Sequence, residues 1–170
     1  MSAQEQRVIA QQILKSLYDA WEQHTIISLD PVQEEGGWDK NAFRTAVEKL
    51  EKQYGLIKNY GSSYTFEITP DGILYSEENK IVSEATAEKH RKIRTHILTY
   101  LSDFYDREGS LEDEHWEKIA EGASVDEHDV LIDLYLLTEL DDIEAASTSS
   151  FRITDKGLRS YRGADYEDII

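Results

Sequence analysis

Histidine and carboxylate side chains are the groups in this sequence that are best suited to acid–base catalysis or metal binding. Five histidines are present, and none of them stands at the His-x-x-x-His spacing that places two ligands on one face of a helix. They are His24, His90, His96, His115 and His128. Their scattered positions favour neither a metal site nor a catalytic base.

The densest group of candidate ligands lies between residues 112 and 117. Glutamate or aspartate occupies four of these positions and surrounds a histidine; the group is Glu112, Asp113, Glu114, His115 and Glu117. Neighbouring residues on a helix point in different directions, and no second ligand cluster accompanies this one. We therefore interpret the segment as a solvated acidic helix rather than a metal site.

Motifs for nucleotide binding and covalent catalysis are absent from the sequence. It has no Gly-x-Ser-x-Gly element, no phosphate-binding loop and no dinucleotide fingerprint. The lack of cysteine removes thiol nucleophiles, zinc fingers and iron–sulfur sites. These patterns predict a protein that is not an enzyme and has no cofactor.

Composition favours a soluble protein of the cytoplasm without a membrane partner. The 170 residues are 39% apolar and 31% charged, and no stretch approaches the roughly 18 apolar residues of a membrane span. The first residues lack a basic start and an apolar run, so we expect no secretory signal. Basic residues number 18 and acidic residues 35, and the resulting net charge of −17 bears on partners rather than on fold.

Two segments that lie 85 positions apart share one pattern. Residues 66–73 read Phe-Glu-Ile-Thr-Pro-Asp-Gly-Ile, and residues 151–158 read Phe-Arg-Ile-Thr-Asp-Lys-Gly-Leu. The aromatic residue and the isoleucine stand two apart, so both face one side of a strand. The threonine that follows is placed to cap a helix that begins immediately. The match indicates an internal repeat.

The segments upstream of the matched strands also correspond. Apolar residues at i, i+1 and i+4 predict amphipathic first helices over about 5–23 and 88–107. Alternating apolar and polar residues, followed by a small polar turn and the matched strand, predict hairpins at 56–69 and 142–154.

A second pair of helices is expected just before the hairpins. Asp39 can cap a helix over 40–54, and Asp126 can cap one over 127–140. Apolar residues fall on one face of each helix. Together the patterns predict these buried residues: Ile13, Leu17, Phe43, Val47, Leu50, Phe66, Ile68, Ile97, Leu101, Val130, Leu134, Leu137, Phe151 and Ile153.

Each half thus reads helix, short helix or loop, helix, hairpin, helix, an order that resembles the winged helix-turn-helix superfamily. The resemblance covers nearly the whole chain, twice. It implies a mainly α fold with small β-hairpins, of the α+β class, in two tandem modules at 1–82 and 83–170. Each module would carry a two-stranded wing. The alternative is one α+β domain whose halves look alike by chance.

Winged helices often bind DNA, which requires basic residues to neutralise phosphates. Between Leu101 and Ala145 there are sixteen acidic residues and two basic ones. The predicted helix over 127–140, which would be the second recognition helix, has no Lys or Arg. Its acids form either a solvated face or a surface for a basic partner. The candidate acidic partner surface comprises Glu112, Asp113, Glu114, Asp126, Asp129 and Asp133.

The first module offers a different surface. Its second long helix carries Lys40, Asn41 and Arg44, and Lys58 lies on the following strand. Lys40 and Arg44 stand four apart and share a helix face, so these four residues are the candidate nucleic-acid contact. An ordinary mixed-charge helix is the competing interpretation.

The dense basic run at 89–94 reads Lys-His-Arg-Lys-Ile-Arg and opens the second module's first helix. In winged helices this helix packs as scaffold, so we expect the run to pair with nearby acids.

Three functional hypotheses follow from the sequence. The leading one is a non-enzymatic adaptor or regulatory subunit that binds a protein partner through tandem winged helices, and a basic surface is the kind of partner surface considered. The alternative is a DNA-binding transcriptional regulator that binds weakly through the first module and dimerises through the second. The third is an acidic DNA mimic.

Overall fold

The chain divides into two units, with the division between Ala87 and Glu88. The computed structural model describes residues 2–61, 63–123 and 125–162. The sequence placed the boundary at 82/83, in the polar stretch before a long helix. That helix begins at Glu84, and the side chain of Ser83 caps it by accepting a hydrogen bond from the backbone N–H of Thr86.

The first unit combines helices with short strands. Its elements are α1 (Ala3–Glu22), β1 (Ile27–Ser28), α2 (Asp30–Gly36), α3 (Lys40–Glu48), β2 (Ile57–Asn59), β3 (Thr65–Ile68) and α4 (Pro70–Glu78). One turn of π-helix, Lys49–Gln53, directly follows α3. The single helix expected over 40–54 is therefore wrong in its last turn, where the backbone widens from α to π geometry.

The same order of elements occurs in the second unit. Its elements are α5 (Glu84–Glu108), β4 (Glu114–His115), α6 (Trp116–Glu121), α7 (Glu127–Glu139), β5 (Ile143–Ala145), β6 (Ser150–Ile153) and α8 (Asp155–Arg162). The first residues of α5 are counted with the first unit. The described residues are mostly helical with two small antiparallel sheets, as expected for the α+β class.

Each unit contains its own three-stranded antiparallel sheet, with strand orders β1-β3-β2 and β4-β6-β5. The predicted hairpins are present as β2–β3 and β5–β6, with Ile57 opposite Ile68 and Ile143 opposite Ile153. The prediction of two strands in each module omits one strand. In the structure β1 pairs with β3 and β4 pairs with β6, so each sheet has three strands. Strands of two residues are too short to show a period of two in a sequence.

The caps predicted from the repeat are present. Thr69 accepts a hydrogen bond from the N–H of Gly72 at 3.1 Å, and Thr154 accepts one from the N–H of Gly157 at 3.0 Å. Asp39 and Asp126 likewise cap α3 and α7. Each cap satisfies one of the N–H groups that a helix leaves without a partner at its start.

The glycine of the repeated motif allows a close approach between two backbones. A Cβ atom at Gly72 would lie 2.1 Å from the carbonyl oxygen of Leu56, and one at Gly157 would lie 1.9 Å from that of Asp142. In both units the first turn of the last helix therefore lies against the chain that leads into the hairpin. The repeat preserves glycine at this position because any larger side chain would separate the two segments.

The core follows the predicted apolar faces. All fourteen residues expected to be buried are no more than 6% exposed. In the second unit, apolar residues of α5, α6, α7, β5, β6 and α8 form one cluster. Among the described residues, no helix combines the length and hydropathy needed to cross a membrane.

Replacing the motif glycines tests this packing. Gly72→Ala and Gly157→Ala should each lower the free energy of unfolding by about 1–3 kcal/mol, the usual cost of overpacking. Chemical denaturation monitored by circular dichroism measures the loss. Asp71→Ala, at an exposed neighbouring position, should change stability far less. Unchanged denaturation midpoints in both glycine variants would contradict the close approach.

Truncation of a core leucine in either unit should be costly. Leu50 is 4% exposed and Leu134 is 0% exposed, so Leu50→Ala and Leu134→Ala should each lower the free energy of unfolding by about 2–5 kcal/mol. Leu111→Ala is the control, because Leu111 is 83% exposed and its side chain buries little. The same denaturation measurement applies, and equal stability in all three variants would refute the core assignment.

Candidate interaction surfaces

The four candidate nucleic-acid contacts lie on α3 and β2, and their side chains are exposed. Two of the four have partners within the protein. Lys58 forms an ion pair with Glu67 on the neighbouring strand at 2.9 Å, and the Arg44 guanidinium lies 5.3 Å from the centre of the Tyr64 ring. Lys40 and Asn41 remain exposed at the start of α3. The cationic surface is therefore smaller than the sequence suggested.

Tyr64 holds Arg44 against the hairpin. Its ring packs edge-on against Phe66, with 5.1 Å between ring centres, and burial raises the pKa of the phenol despite the opposing effect of the Arg44 charge. The hydroxyl oxygen is buried and has no hydrogen-bond partner among the described residues. This tyrosine connects α3 of the first unit to the β2–β3 hairpin.

Asp133 of α7 is fully buried and does not belong to a partner surface. One carboxylate oxygen lies 2.7 Å from Nδ1 of His90, and the other accepts a hydrogen bond from Nη1 of Arg94 at 2.9 Å. His90 is 0% exposed and Arg94 is 8% exposed. The expectation that Asp133 faces a partner is wrong, because it stands among the apolar residues of the inner face of α7.

The basic run of α5 pairs with acids, as the sequence indicated. Lys89 forms an ion pair with Asp129 at 3.2 Å, and that carboxylate is only 19% exposed. Arg91 and Lys92 both contact Glu88 on the same helix. Among the basic residues of the run, only His90 and Arg94 are buried, and Asp129 is not available as a free acidic group.

The segment 112–117 is not a helix, which corrects the expectation of a solvated acidic helix. Glu112 and Asp113 lie in an exposed turn, Glu114 begins β4, and α6 starts at Trp116. A side chain of the segment helps to start α6, because Nδ1 of His115 accepts a hydrogen bond from the N–H of Glu117.

Glu114 is tied to the long helix of its unit. It accepts a hydrogen bond from the Tyr100 hydroxyl at 2.8 Å, and burial together with this bond raises the pKa of Tyr100. Of the six acids predicted as a partner surface, Glu112, Asp113 and Asp126 are the ones that remain exposed. Asp126 at the same time caps α7.

Two of the histidines are held by contacts within the second unit. His96 contacts the carbonyl oxygen of Ile119 through Nε2 at 2.9 Å, and His90 is committed to Asp133. Within the described ranges, no group of three or more histidine and acidic side chains is arranged to hold a metal ion.

The chain was compared with known proteins in three ways. No protein-family model matches it, no curated protein matches it, and no solved structure matches it.

Removal of the Asp133 carboxylate should destabilise the second unit strongly. Asp133→Ala removes the buried carboxylate that accepts from Arg94, and the free energy of unfolding should fall by about 3–5 kcal/mol. In a His90→Gln/Arg94→Ala background the same substitution should cost clearly less, because no buried charge is then abandoned. Thermal and chemical denaturation of the four variants gives the coupling energy. Equal costs in both backgrounds would show that the three side chains do not act together.

Proposed function

We propose that this protein is a non-enzymatic adaptor or regulatory subunit, built from two tandem winged helices, that binds a protein partner with a basic surface. The winged-helix assignment is supported by the order helix, strand, helix, helix, hairpin, helix in each unit. It is further supported by the three-stranded sheet, in which the first short strand pairs with the last strand of the hairpin.

The observation that carries the proposal is the charge of α7. In the proposed winged helix α7 would be the recognition helix, and it has no Lys or Arg. It uses Asp129 and Asp133 to neutralise the basic run of α5. A helix of this composition in a major groove would face phosphate repulsion without any cation to offset it. The acids that remain exposed near α7, such as its capping residue Asp126, suit a basic protein surface instead.

We propose that the partner binds this protein at the exposed acidic residues Glu112, Asp113 and Asp126. The turn that holds Glu112 and Asp113 also exposes the side chain of Leu111, which is 83% accessible. Arg152 donates to the backbone carbonyl of Leu111 at 3.4 Å and so links this turn to β6. An exposed apolar side chain that is followed in the chain by two exposed acids fits a partner that presents basic residues beside an apolar pocket.

A DNA-binding regulator is the second candidate. It is favoured by Lys40 and Asn41, which are exposed on the first turn of α3, where a winged helix would contact base edges. The contact area is small, because Lys58 and Arg44 already have partners within the unit. Cytoplasmic localisation belongs to both candidates as an expectation from composition.

The two candidates are separated by one set of variants. Affinity capture from an extract of the source organism uses the wild-type chain, the acidic-surface variant Glu112→Lys/Asp113→Lys, and the basic-surface variant Lys40→Glu/Arg44→Glu. Random duplex DNA is titrated against the same three proteins at several salt concentrations. Circular dichroism confirms that each variant is folded.

The proposal expects a specific protein that is retained by the wild type and by Lys40→Glu/Arg44→Glu, and lost by Glu112→Lys/Asp113→Lys. It also expects no strong binding to random DNA at physiological salt. The opposite result would establish the regulator: DNA binding with a dissociation constant below roughly 1 µM that weakens steeply with salt, and that disappears in Lys40→Glu/Arg44→Glu.

A further inference from the structure

The first unit contains an open groove of about 600 Å³ between α1, the π-turn and α4. Along α1 it is lined by residues at positions 3, 6, 7, 10, 11 and 14, which is one face of a helix over three turns, or about 16 Å. The opposite wall includes Ala46 and Leu50, and Ile81 closes the side beyond α4. The floor is apolar, because Leu14 and Leu50 are buried there.

The second unit fills the equivalent position with charged side chains. The core residues Ile9, Ile13 and Leu17 of α1 correspond to Ile93, Ile97 and Leu101 of α5, each 84 positions later. The core residues Phe43, Val47 and Leu50 correspond in the same way to Val130, Leu134 and Leu137, each 87 positions later. These two registers fix which residues of the two units are equivalent.

In these registers Ala10 corresponds to Arg94, and Ala46 corresponds to Asp133. The buried ion pair between Arg94 and Asp133 thus occupies the site where the first unit has two alanines. Methyl groups do not reach across the space between the helices, so the first unit keeps a groove there. One repeat closes this site with its own side chains, and the other leaves it available to a ligand.

The rim of the groove is cationic in a strongly acidic protein. Arg7 and Lys49 line it, and no ion pair joins either of them to another of the described residues. None of the described lining residues is acidic, although the chain has 35 acids and a net charge of −17. A ligand with carboxylates would meet two unpaired cations and no repelling group within the groove.

Two exposed tyrosines complete the surface. Tyr54 is 59% exposed and Tyr75 is 42% exposed, and both line the groove. Tyrosine is enriched among the residues that dominate protein interfaces, because its ring buries a large area and its hydroxyl forms hydrogen bonds. Tyr54 follows the π-turn directly, and its N–H donates to the carbonyl of Lys49. The π-turn therefore sets the positions of Lys49 and Tyr54. Single π-turns within helices often occur at functional sites.

We infer that this groove binds an amphipathic helix of a partner protein, one with apolar residues at i, i+3 or i+4 and i+7 and with Asp or Glu on its flanks. The length of the groove matches three turns of helix, and its apolar floor suits the helix-in-groove mode of recognition. Arg7 and Lys49 select acidic flanks. The inference rests on the proposed role in protein binding, but it concerns a different surface from the acidic turn at Glu112 and Asp113.

The experiment is a selection from a display library of random peptides of about 14 residues, which form about four helical turns, against the full chain. Enriched peptides are synthesised with a fluorophore, and their affinities are measured by anisotropy. Arg7→Glu/Lys49→Glu reverses the rim charges. Lys15→Glu/Lys52→Glu is the matched control, with the same change in net charge on the same two parts of the chain but outside the groove.

A third variant closes the groove without altering net charge. Ala10→Arg/Ala46→Asp introduces the pair that the second unit carries at this site. Melting curves establish that each variant is folded, and the closing variant keeps the inference testable should the charge reversal unfold the unit.

The inference expects enriched peptides with acidic flanks and helical apolar spacing. Their affinity should fall by about tenfold or more, equal to about 1.4 kcal/mol, in both groove variants and stay unchanged in the control. Enrichment of basic peptides, no enrichment, or equal affinity for every folded variant would overturn it. Capture of a partner through the acidic turn is measured in a separate experiment. Failure of the peptide selection therefore does not contradict the proposed function, and failure of the capture experiment does not contradict peptide binding in the groove.

Discussion

The packing of one long helix against another, beneath a small sheet, is the constraint on which both units depend. In the first unit α1 packs against α3 and against β3, and in the second unit the apolar residues of α5, α7 and β6 form one cluster. A unit of roughly 85 residues buries a smaller fraction of its surface than a larger domain does. It therefore needs every apolar position on these faces, which explains why the same core pattern occurs twice.

The close approach at the motif glycine belongs to the same constraint. The last helix of each unit begins directly after a strand, and the capping threonine also donates its hydroxyl hydrogen to a carbonyl before the hairpin, that of Gly55 in one unit and that of Asp141 in the other. Cap, glycine and strand thus join three segments at one point. Local sequence and tertiary packing agree at this point, so the motif is recognisable in the sequence.

Much of the fold could be predicted because its signals are local or periodic. Caps such as Asp39 and Thr154 depend on residues three positions apart, and helix faces repeat over several turns. The third strand of each sheet could not be predicted, because two residues such as Ile27 and Ser28 carry no period. The π-turn was also missed, since its residues satisfy the helical pattern equally well.

The candidate sites were harder to predict, because charge alone does not say which way a side chain points. Asp133 was assigned to a surface from its sign, although it stands between Val130 and Leu134 on the buried face of its helix. Its spacing from those two residues was the available signal. His90 and Arg94, four residues apart on α5, give the matching signal on the other helix.

Net charge is therefore a poor guide to what each surface of this protein can bind. The value of −17 includes acids such as Asp133, which neutralise buried cations and present nothing to a partner. It also conceals Arg7 and Lys49, which line an apolar groove and form no ion pair with another described residue. At physiological ionic strength, charges more than about 8 Å apart across solvent are largely screened from one another. Each surface is thus governed by the few side chains within that distance, and one acidic chain can present an acidic turn on one unit and a cationic groove on the other.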